Sequence, residues 1–275
     1  MKFQLKALVA ALALVAAVPA SAAIDNAVTA GNSSLVLTVW DSVANISASF
    51  DLGKNYSDFS IAPTASFANS GVNTAGTAFS WDITTGDYAA AWTSFASIAD
   101  EANASWAVTA VDNLGAGAGA RGFITTYTGA SLANLGSTAL IGAVAAYDIF
   151  LNNQAFTNGI QNHTTTLNGA STAVPGSAAY FAQAYTSNRI NGVGPITGGK
   201  INTSLGVIQT ITQTAQVVNN NIYSNANGIS TFTLTSNGQL AYAAAVAAVP
   251  EPETYAMLLA GLGFMGFVAR RKQAK

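Results

Sequence analysis

Few residues in this chain carry groups that could perform catalytic chemistry. The 275 residues include one histidine, His163, and no cysteine. A catalytic triad or a zinc site needs several such groups at fixed geometry, and His163 lies in the polar run Asn162-His163-Thr164 with no neighbouring carboxylate. We therefore interpret His163 as an exposed loop residue, and we expect neither a thiol nucleophile nor a disulfide.

Paired carboxylates are the remaining candidates for acid–base chemistry of the kind that glycoside hydrolases use. Asp41 with Asp51, or Asp82 with Asp87, could form such a pair, and Glu101 is the only glutamate between residues 23 and 249. Aspartate also serves turns and helix caps, which is the interpretation we favour. We assign no catalytic residue and no metal ligand, and calcium, which takes oxygen ligands, stays open as an unproven cofactor.

One glycine-rich run has the spacing of a nucleotide-binding loop. Gly117-Ala118-Gly119-Ala120-Arg121-Gly122 matches Gly-x-Gly-x-x-Gly. In a dinucleotide site the glycines open a helix, whereas here they lead into Phe123–Thr128, which we predict to be a strand. We interpret the run as a flexible turn.

Two threonine rows are candidates for binding a regular ligand. Thr210–Thr214 and Thr231–Thr235 each hold three threonines at every second position. On a strand such a row lies on one face with a spacing of about 6.6–6.8 Å. These rows resemble those of ice-binding proteins and could also line a carbohydrate. Ice binding needs many repeated rows, so we favour the polar outer face of ordinary strands.

The elements that would position these groups are mainly strands. Alternation predicts strands at Ser34–Trp40, Ile46–Leu52, Thr77–Ile83, Trp106–Val111, Gly122–Thr128, Leu205–Val218, Ser230–Thr235 and Gln239–Tyr242. Asn237-Gly238 between the last two strands predicts a hairpin. The four tryptophans fall on apolar faces, and we expect Trp40, Trp81, Trp92 and Trp106 in the core.

Two segments have helical spacing instead. Tyr88–Ala99 repeats apolar residues on one helical face, with Asp87 as a plausible N-cap, and Leu132–Leu151 contains a helix that begins near Ser137. The predicted fold is mainly β (α+β): an antiparallel β-sandwich or open sheet with about two packed helices. An N-terminal signal helix and a C-terminal transmembrane helix complete it.

Charge is sparse between residues 23 and 249, and its distribution is uneven. This body has four basic and ten acidic residues, and every acidic one precedes residue 149. Without a basic patch, nucleic acid is excluded as a partner. The loss of acidic residues after Asp148 also indicates a possible domain boundary near residue 150.

The N-terminal residues have the order of a secretion signal. Lys2 and Lys6 precede the apolar run Leu8–Val18, and Pro19 ends that run. Small residues follow, so we expect signal peptidase to cleave after Ala22, with Ala23 as second choice. Residues 1–22 are therefore predicted to be a signal peptide that directs the chain to the Sec translocon.

The C-terminal residues form a second three-part signal. Pro250, Glu251 and Pro252 keep the chain extended, and the apolar run Thr254–Ala269 follows. As a helix this run is about 24 Å long, which is marginal for a bilayer core of about 30 Å. The basic cluster Arg270, Arg271 and Lys272 predicts that the body lies outside the cytoplasm.

Residues 250–275 closely resemble the PEP-CTERM sorting signal of Gram-negative bacteria. The same tail is sometimes catalogued as an ice-binding protein C-terminal domain, a label that describes the tail and no activity. The resemblance implies a transient inner-membrane anchor and an exosortase, a membrane enzyme with a cysteine nucleophile. It also implies cleavage near Pro250, Glu251 and Pro252, but no fold for residues 23–249.

From these parts we expect an exported envelope or extracellular-matrix protein with a non-enzymatic role. The resemblance implies a link to exopolysaccharide and biofilm, and a structural or polysaccharide-associated body would suit it. The alternatives are a calcium- or carbohydrate-binding adhesin, with ice binding the weakest version, and a carbohydrate-active enzyme that uses aspartates of the first half.

Overall fold

The computed structural model is mainly β. It describes residues 24, 31–60, 71–113, 115, 119–129, 136–153, 169–177, 180–181, 185–186, 189–190, 196, 198–212, 218–247, 257, 259–262 and 265. The strands are β1 (Ser34–Asp41), β2 (Ile46–Asn55), β3 (Ala78–Asp82), β4 (Ser105–Asp112), β5 (Gly122–Tyr127), β6 (Ala170–Ala173), β7 (Tyr185–Thr186), β8 (Arg189–Ile190), β9 (Gly199–Lys200), β10 (Ser204–Thr212), β11 (Val218–Ile222), β12 (Ser224–Asn225), β13 (Gly228–Ile229), β14 (Thr231–Leu234) and β15 (Gln239–Ala243). The helices are α1 (Tyr56–Phe59), a 3-10 turn at Gly86–Tyr88, α2 (Ala89–Ala96) and α3 (Ser137–Asn153).

One antiparallel sheet of eleven strands dominates the described chain. Its main path is β3-β15-β14-β10-β5-β4-β1-β2-β6, with β11 added to β10 and β9 added to β4. Strands from both sides of residue 150 interleave in this path. Of the two architectures that the sequence left open, the open sheet is the one observed, and it is curled.

The curl follows from an apolar inner face that the strands share. Alternate residues of β1 and β4, such as Leu37 and Val108, belong to one buried cluster. Trp81 of β3 and Phe50 of β2 belong to it too, although β3 and β2 lie near opposite ends of the strand order. This shared face can therefore be buried only if the two ends of the sheet approach each other.

Side-chain hydrogen bonds join the two approaching ends of the sheet. The indole Nε1 of Trp81 donates to the backbone oxygen of Leu52 at 2.8 Å. The hydroxyl of Tyr88 donates to the backbone oxygen of Asp51. Two carbonyls at the edge of β2 thus gain partners from side chains.

The outer face of the sheet is covered along β1, β4 and β5. Residues such as Val36 and Phe123 form a second cluster with Leu140, Val144 and Tyr147 of α3. Because apolar groups cover both faces, β1 is buried at all eight positions. The two predicted helices are confirmed as α2 and α3.

The boundaries of α2 and of one long strand differ from the predictions. α2 covers only Ala89–Ala96, and Asp87 lies inside the preceding 3-10 turn, whose N-cap is Thr85. The predicted strand Leu205–Val218 is wrong in length, because β10 ends at Thr212 and Val218 begins β11, which pairs back with it antiparallel. Polar residues continue at alternate positions past Thr212, at Thr214 and Gln216, so the alternation did not mark the reversal.

The predicted hairpin at Asn237-Gly238 is confirmed, since β14 pairs with β15. The amide of Gly238 donates to the oxygen of Thr235 at 2.9 Å, and Gly238 has φ +70°. A Cβ at this position would lie 2.4 Å from the Thr84 side chain. Both the left-handed backbone and the close neighbour therefore require glycine.

Gly122 places the buried tyrosine of α1 against the start of β5. A Cβ at Gly122 would lie 1.9 Å from the Tyr56 hydroxyl, inside any allowed contact distance. Tyr56 is fully buried and accepts a hydrogen bond from Gln209 at 2.6 Å. The last glycine of the Gly-x-Gly-x-x-Gly run is therefore a packing requirement.

We predict that Gly122→Ala lowers the free energy of unfolding by about 2 kcal/mol or more, because a rigid ring must be displaced from a packed interior. Gly136→Ala is the control, since a Cβ there meets nothing within 4 Å. Gly136 accepts the first backbone bond of α3 from Leu140, and alanine caps a helix less well than glycine, so a smaller loss of about 1 kcal/mol or less is expected. Urea unfolding of both variants measures this. Equal stability of the two would contradict the packing role of Gly122.

Asp41 holds the turn between β1 and β2 and ties it to the segment after α2. Its carboxylate is buried and accepts from the backbone amides of Val43, Ala44 and Asp100 at 2.8–2.9 Å. Burial raises the pKa of Asp41, but the three amides and the charge of Lys200 outweigh it, and the net pKa is lowered. The ionised form thus stabilises the fold.

A lowered pKa in the folded state means that stability is present above the pKa of the unfolded chain and lost as pH falls through the folded value. We predict that Asp41→Asn costs about 2 kcal/mol or more at pH 7 and flattens the loss of stability below about pH 4. Thermal unfolding from pH 2 to 7 measures both. The exposed Asp87 gives the matched control Asp87→Asn, which should retain the acid-dependent loss. An Asp41→Asn variant with the parent's pH profile would refute the assignment.

Candidate functional site

The signal residues predicted from the sequence lie outside the described part of the chain. These are Ala22 and Ala23, the motif Pro250, Glu251 and Pro252, and the cluster Arg270, Arg271 and Lys272. His163 is also outside it. Their roles stay predictions.

Between the last two signal groups, the described residues are helical and expose apolar side chains. Met257 is 75% exposed, Leu259 68%, Leu262 52% and Met265 63%. Residues 259–262 are four consecutive helical residues, and all four are exposed. At about 100° per residue these positions point to all sides of the helix. A helix that is apolar on several sides is unsuited to water and suited to a bilayer or a protein interior.

The chain divides into two compact units, residues 1–245 and 246–275. The exposed helical residues belong to the second unit. In the described ranges, no helix has both the length and the apolar character needed to cross a membrane. The predicted span Thr254–Ala269 is described only at residues 257, 259–262 and 265.

The first candidate acid pair is too far apart to cooperate. In the sheet Asp41 is opposite Ile46, whereas Asp51 is opposite Val36. The two aspartates are thus five positions apart along the strands, about 16 Å, compared with about 5–10 Å in glycoside hydrolases. Asp51 itself accepts from the Ser34 hydroxyl and the Gly53 amide, both at 2.8 Å.

The second candidate pair lies in a turn. Asp82 accepts from both the amide and the hydroxyl of Thr84, at 2.9 and 2.6 Å. The Thr84 hydroxyl is the largest contribution that lowers the pKa of Asp82. Asp82 therefore stabilises a turn, which is the role favoured from the sequence. Asp87 is exposed in the following 3-10 turn.

The other charged candidates have structural partners. Glu101 is exposed in a turn after α2 and accepts from the side-chain amide of Asn202 at 2.6 Å.

Within the ranges that the structure describes, no group of three His, Cys, Asp or Glu residues could hold a metal ion. Gly122 opens a strand, which is not the context of a nucleotide-binding loop.

The two threonine rows have different surroundings. Thr210 and Thr212 are on the outer face of β10 but are buried, and Thr210 donates to Asn220 at 2.7 Å. Thr231 and Thr233 of β14, and Thr235 directly after it, are half-buried. The residues opposite Thr231 and Thr233 on β15 are Ala243 and Ala241, so this row has no second threonine row beside it there.

A buried polar cluster inside the curled sheet was not predicted. The Gln209 amide donates to the Tyr56 hydroxyl at 2.6 Å and to the Ser60 hydroxyl at 3.0 Å, and the Tyr223 hydroxyl donates to the backbone oxygen of Phe59. Burial raises the pKa of Tyr56 and of Tyr223 above the ordinary tyrosine range. Both hydroxyls therefore stay neutral at physiological pH and serve packing and hydrogen bonding.

The tryptophans occupy the core as expected, except at one position. Trp40, Trp81 and Trp106 are at most 5% exposed, whereas Trp92 is half-buried against the inner cluster. None of the three buried rings is available to stack on a sugar at the surface.

The comparison with known families finds one match. A family model of the PEP-CTERM protein-sorting motif matches residues 248–272. No curated protein and no solved structure matches the chain. The match contains the Pro-Glu-Pro residues, the exposed apolar helical positions and the three consecutive basic residues. The motif implies export and recognition by an exosortase, and the chain is a PEP-CTERM sorting domain-containing protein.

Proposed function

We propose that this protein is an exosortase substrate whose folded body has a structural role outside the cell. The tail anchors the chain briefly in the inner membrane, and the exosortase cleaves near Pro250–Pro252. The body is then released or displayed at the surface, where it contributes to the extracellular matrix. The observation that carries this proposal is the sorting motif at residues 248–272.

The exposed apolar helix supports the membrane step. Met257, Leu259, Leu262 and Met265 together present a large apolar surface, and a bilayer removes it from water. Arg270, Arg271 and Lys272 then remain on the cytoplasmic side, because basic residues resist translocation. This orientation places the Pro-Glu-Pro segment and the body on the outer side.

The N-terminal residues supply the export step of the proposal. The leader ends at Ala22, or at Ala23, after an apolar run and small residues. Such a leader directs a chain to the Sec translocon and signal peptidase. A chain without cysteine needs no oxidative folding once it is outside.

The body itself suits a structural role better than an enzymatic one. Asp41 and Asp51 are buried in hydrogen bonds that hold turns and strands. The outer faces of β14 and β15 present small and hydroxyl-bearing side chains, such as Thr233 and the exposed Ala241. We propose that this uncharged surface lies against exopolysaccharide, which is a polysaccharide-associated role in biofilm.

We predict that changing Pro250, Glu251 and Pro252 together to alanine leaves full-length chain in the membrane fraction. The extended motif that the enzyme binds is then lost, because alanine permits a continuous helix. Pulse-labelling and immunoblotting of membrane and medium fractions with an antibody to the body measure this. In the parent, the medium should contain a body that lacks Tyr255–Lys275.

The neighbouring change Glu253→Gln is the matched control and should be processed as the parent. Deleting residues 2–22 should keep the chain in the cytoplasm, which separates export from cleavage. Tail-free body produced at the parental rate by the triple-alanine variant would overturn the proposal.

A further inference from the structure

The side chain of Asn225 holds the last residue of the body, Ala245. Its Nδ2 donates to the backbone oxygen of Ala245 at 2.8 Å and to that of Asn73 at 3.0 Å. Its Oδ1 accepts from the amide of Asn227 at 2.8 Å. Because an amide nitrogen has two hydrogens, both donors of Asn225 are used, and each holds a different stretch of backbone.

The surroundings keep this side chain in place. Asn73 accepts from the Ser230 hydroxyl through its own Oδ1 at 2.8 Å. One residue before Ala245, the amide of the buried Ala244 donates to the oxygen of Thr77 at 2.9 Å. The chain is thus held up to Ala245, whereas Val246 and Ala247 are exposed.

Only residues 246–249 separate this fastened end from Pro250. Four residues span at most about 13–14 Å when fully extended. An enzyme that cleaves within the motif needs an extended segment free of the folded body on both sides of the bond. The fastening at Ala245 therefore sets how much free chain precedes the motif.

We propose that Asn225 is a positioning residue that limits processing at Pro250–Pro252 by holding Ala245 against the body. The inference rests on the proposed function, since it concerns access of the exosortase to the same segment. Cleavage then proceeds mainly from the population in which Ala245 is released from Asn225, and its rate follows that population when release is fast.

The test compares Asn225→Asp with the parent in the same pulse-labelling assay. Aspartate keeps the acceptor for Asn227 but cannot donate, so both donated bonds are lost. Loss of two such bonds raises the released population about tenfold to thirtyfold, and processing should accelerate by up to that factor. Asn227→Asp, the same chemical change at an exposed neighbour, should be processed as the parent.

A longer tether should remove the effect. Inserting Gly-Ser-Gly-Ser between Ala247 and Ala248 should accelerate processing by itself, and Asn225→Asp should add nothing in that background. Deleting Val246 and Ala247 should slow processing, and less so when combined with Asn225→Asp. Near-UV circular dichroism of each body checks that it is folded.

Unchanged processing of a folded Asn225→Asp variant, or equal acceleration with and without the insertion, would overturn the inference. If Asn225→Asp unfolds the body, the insertion and deletion variants test the inference instead. It is overturned if either variant is processed at the parental rate. The triple-alanine motif variant runs in parallel. Its processing at the parental rate would refute the proposed function, whereas a block in that variant with no effect of Asn225 refutes only the present inference.

Discussion

Burial of both faces of one curled sheet is the constraint on which the rest of this structure depends. The inner face is apolar and closes on itself, and the outer face of β1, β4 and β5 is covered by α3. A sheet covered on both sides must provide hydrogen-bond partners for nearly all the polar groups that it encloses. Some of these partners are side chains at the edge of β2, where Trp81 and Tyr88 donate to backbone oxygens. Others lie inside the sheet, where Gln209 donates to Tyr56 and Ser60.

The same constraint explains the positions of the aspartates. A buried carboxylate is tolerated only with several donors, and Asp41 receives three backbone amides. Its carboxylate oxygens therefore already accept hydrogen bonds from backbone amides, and a sugar or a cation would have to displace these amides. From their sequence positions these aspartates could serve either turns or catalysis. Their hydrogen bonds in the structure favour the role in turns.

Local signals in the sequence predicted local structure well. The Asn237-Gly238 hairpin, the start of α3 at Ser137 and most strands follow from turn residues and from periodicity. Burial of Thr210 could not be predicted, because a threonine row is identical in sequence whether or not another element covers it. The Tyr56–Gln209 bond and the Asn225–Asn73 bond join residues more than 150 positions apart, and no local pattern encodes such distances. The sorting signal was predictable because its three parts are contiguous.

The position of β15 in the sheet has a consequence for the order in which the body forms. Among the strands that the structure describes, β15 is the one paired with β3, and β14 flanks it on the other side. A chain that emerges from its N-terminus first delivers β3 long before β15. Until residues 239–243 arrive, β3 lacks its neighbour, and the aromatic rings at its inner side stay partly uncovered. The sheet can therefore be completed only after almost the whole body has emerged.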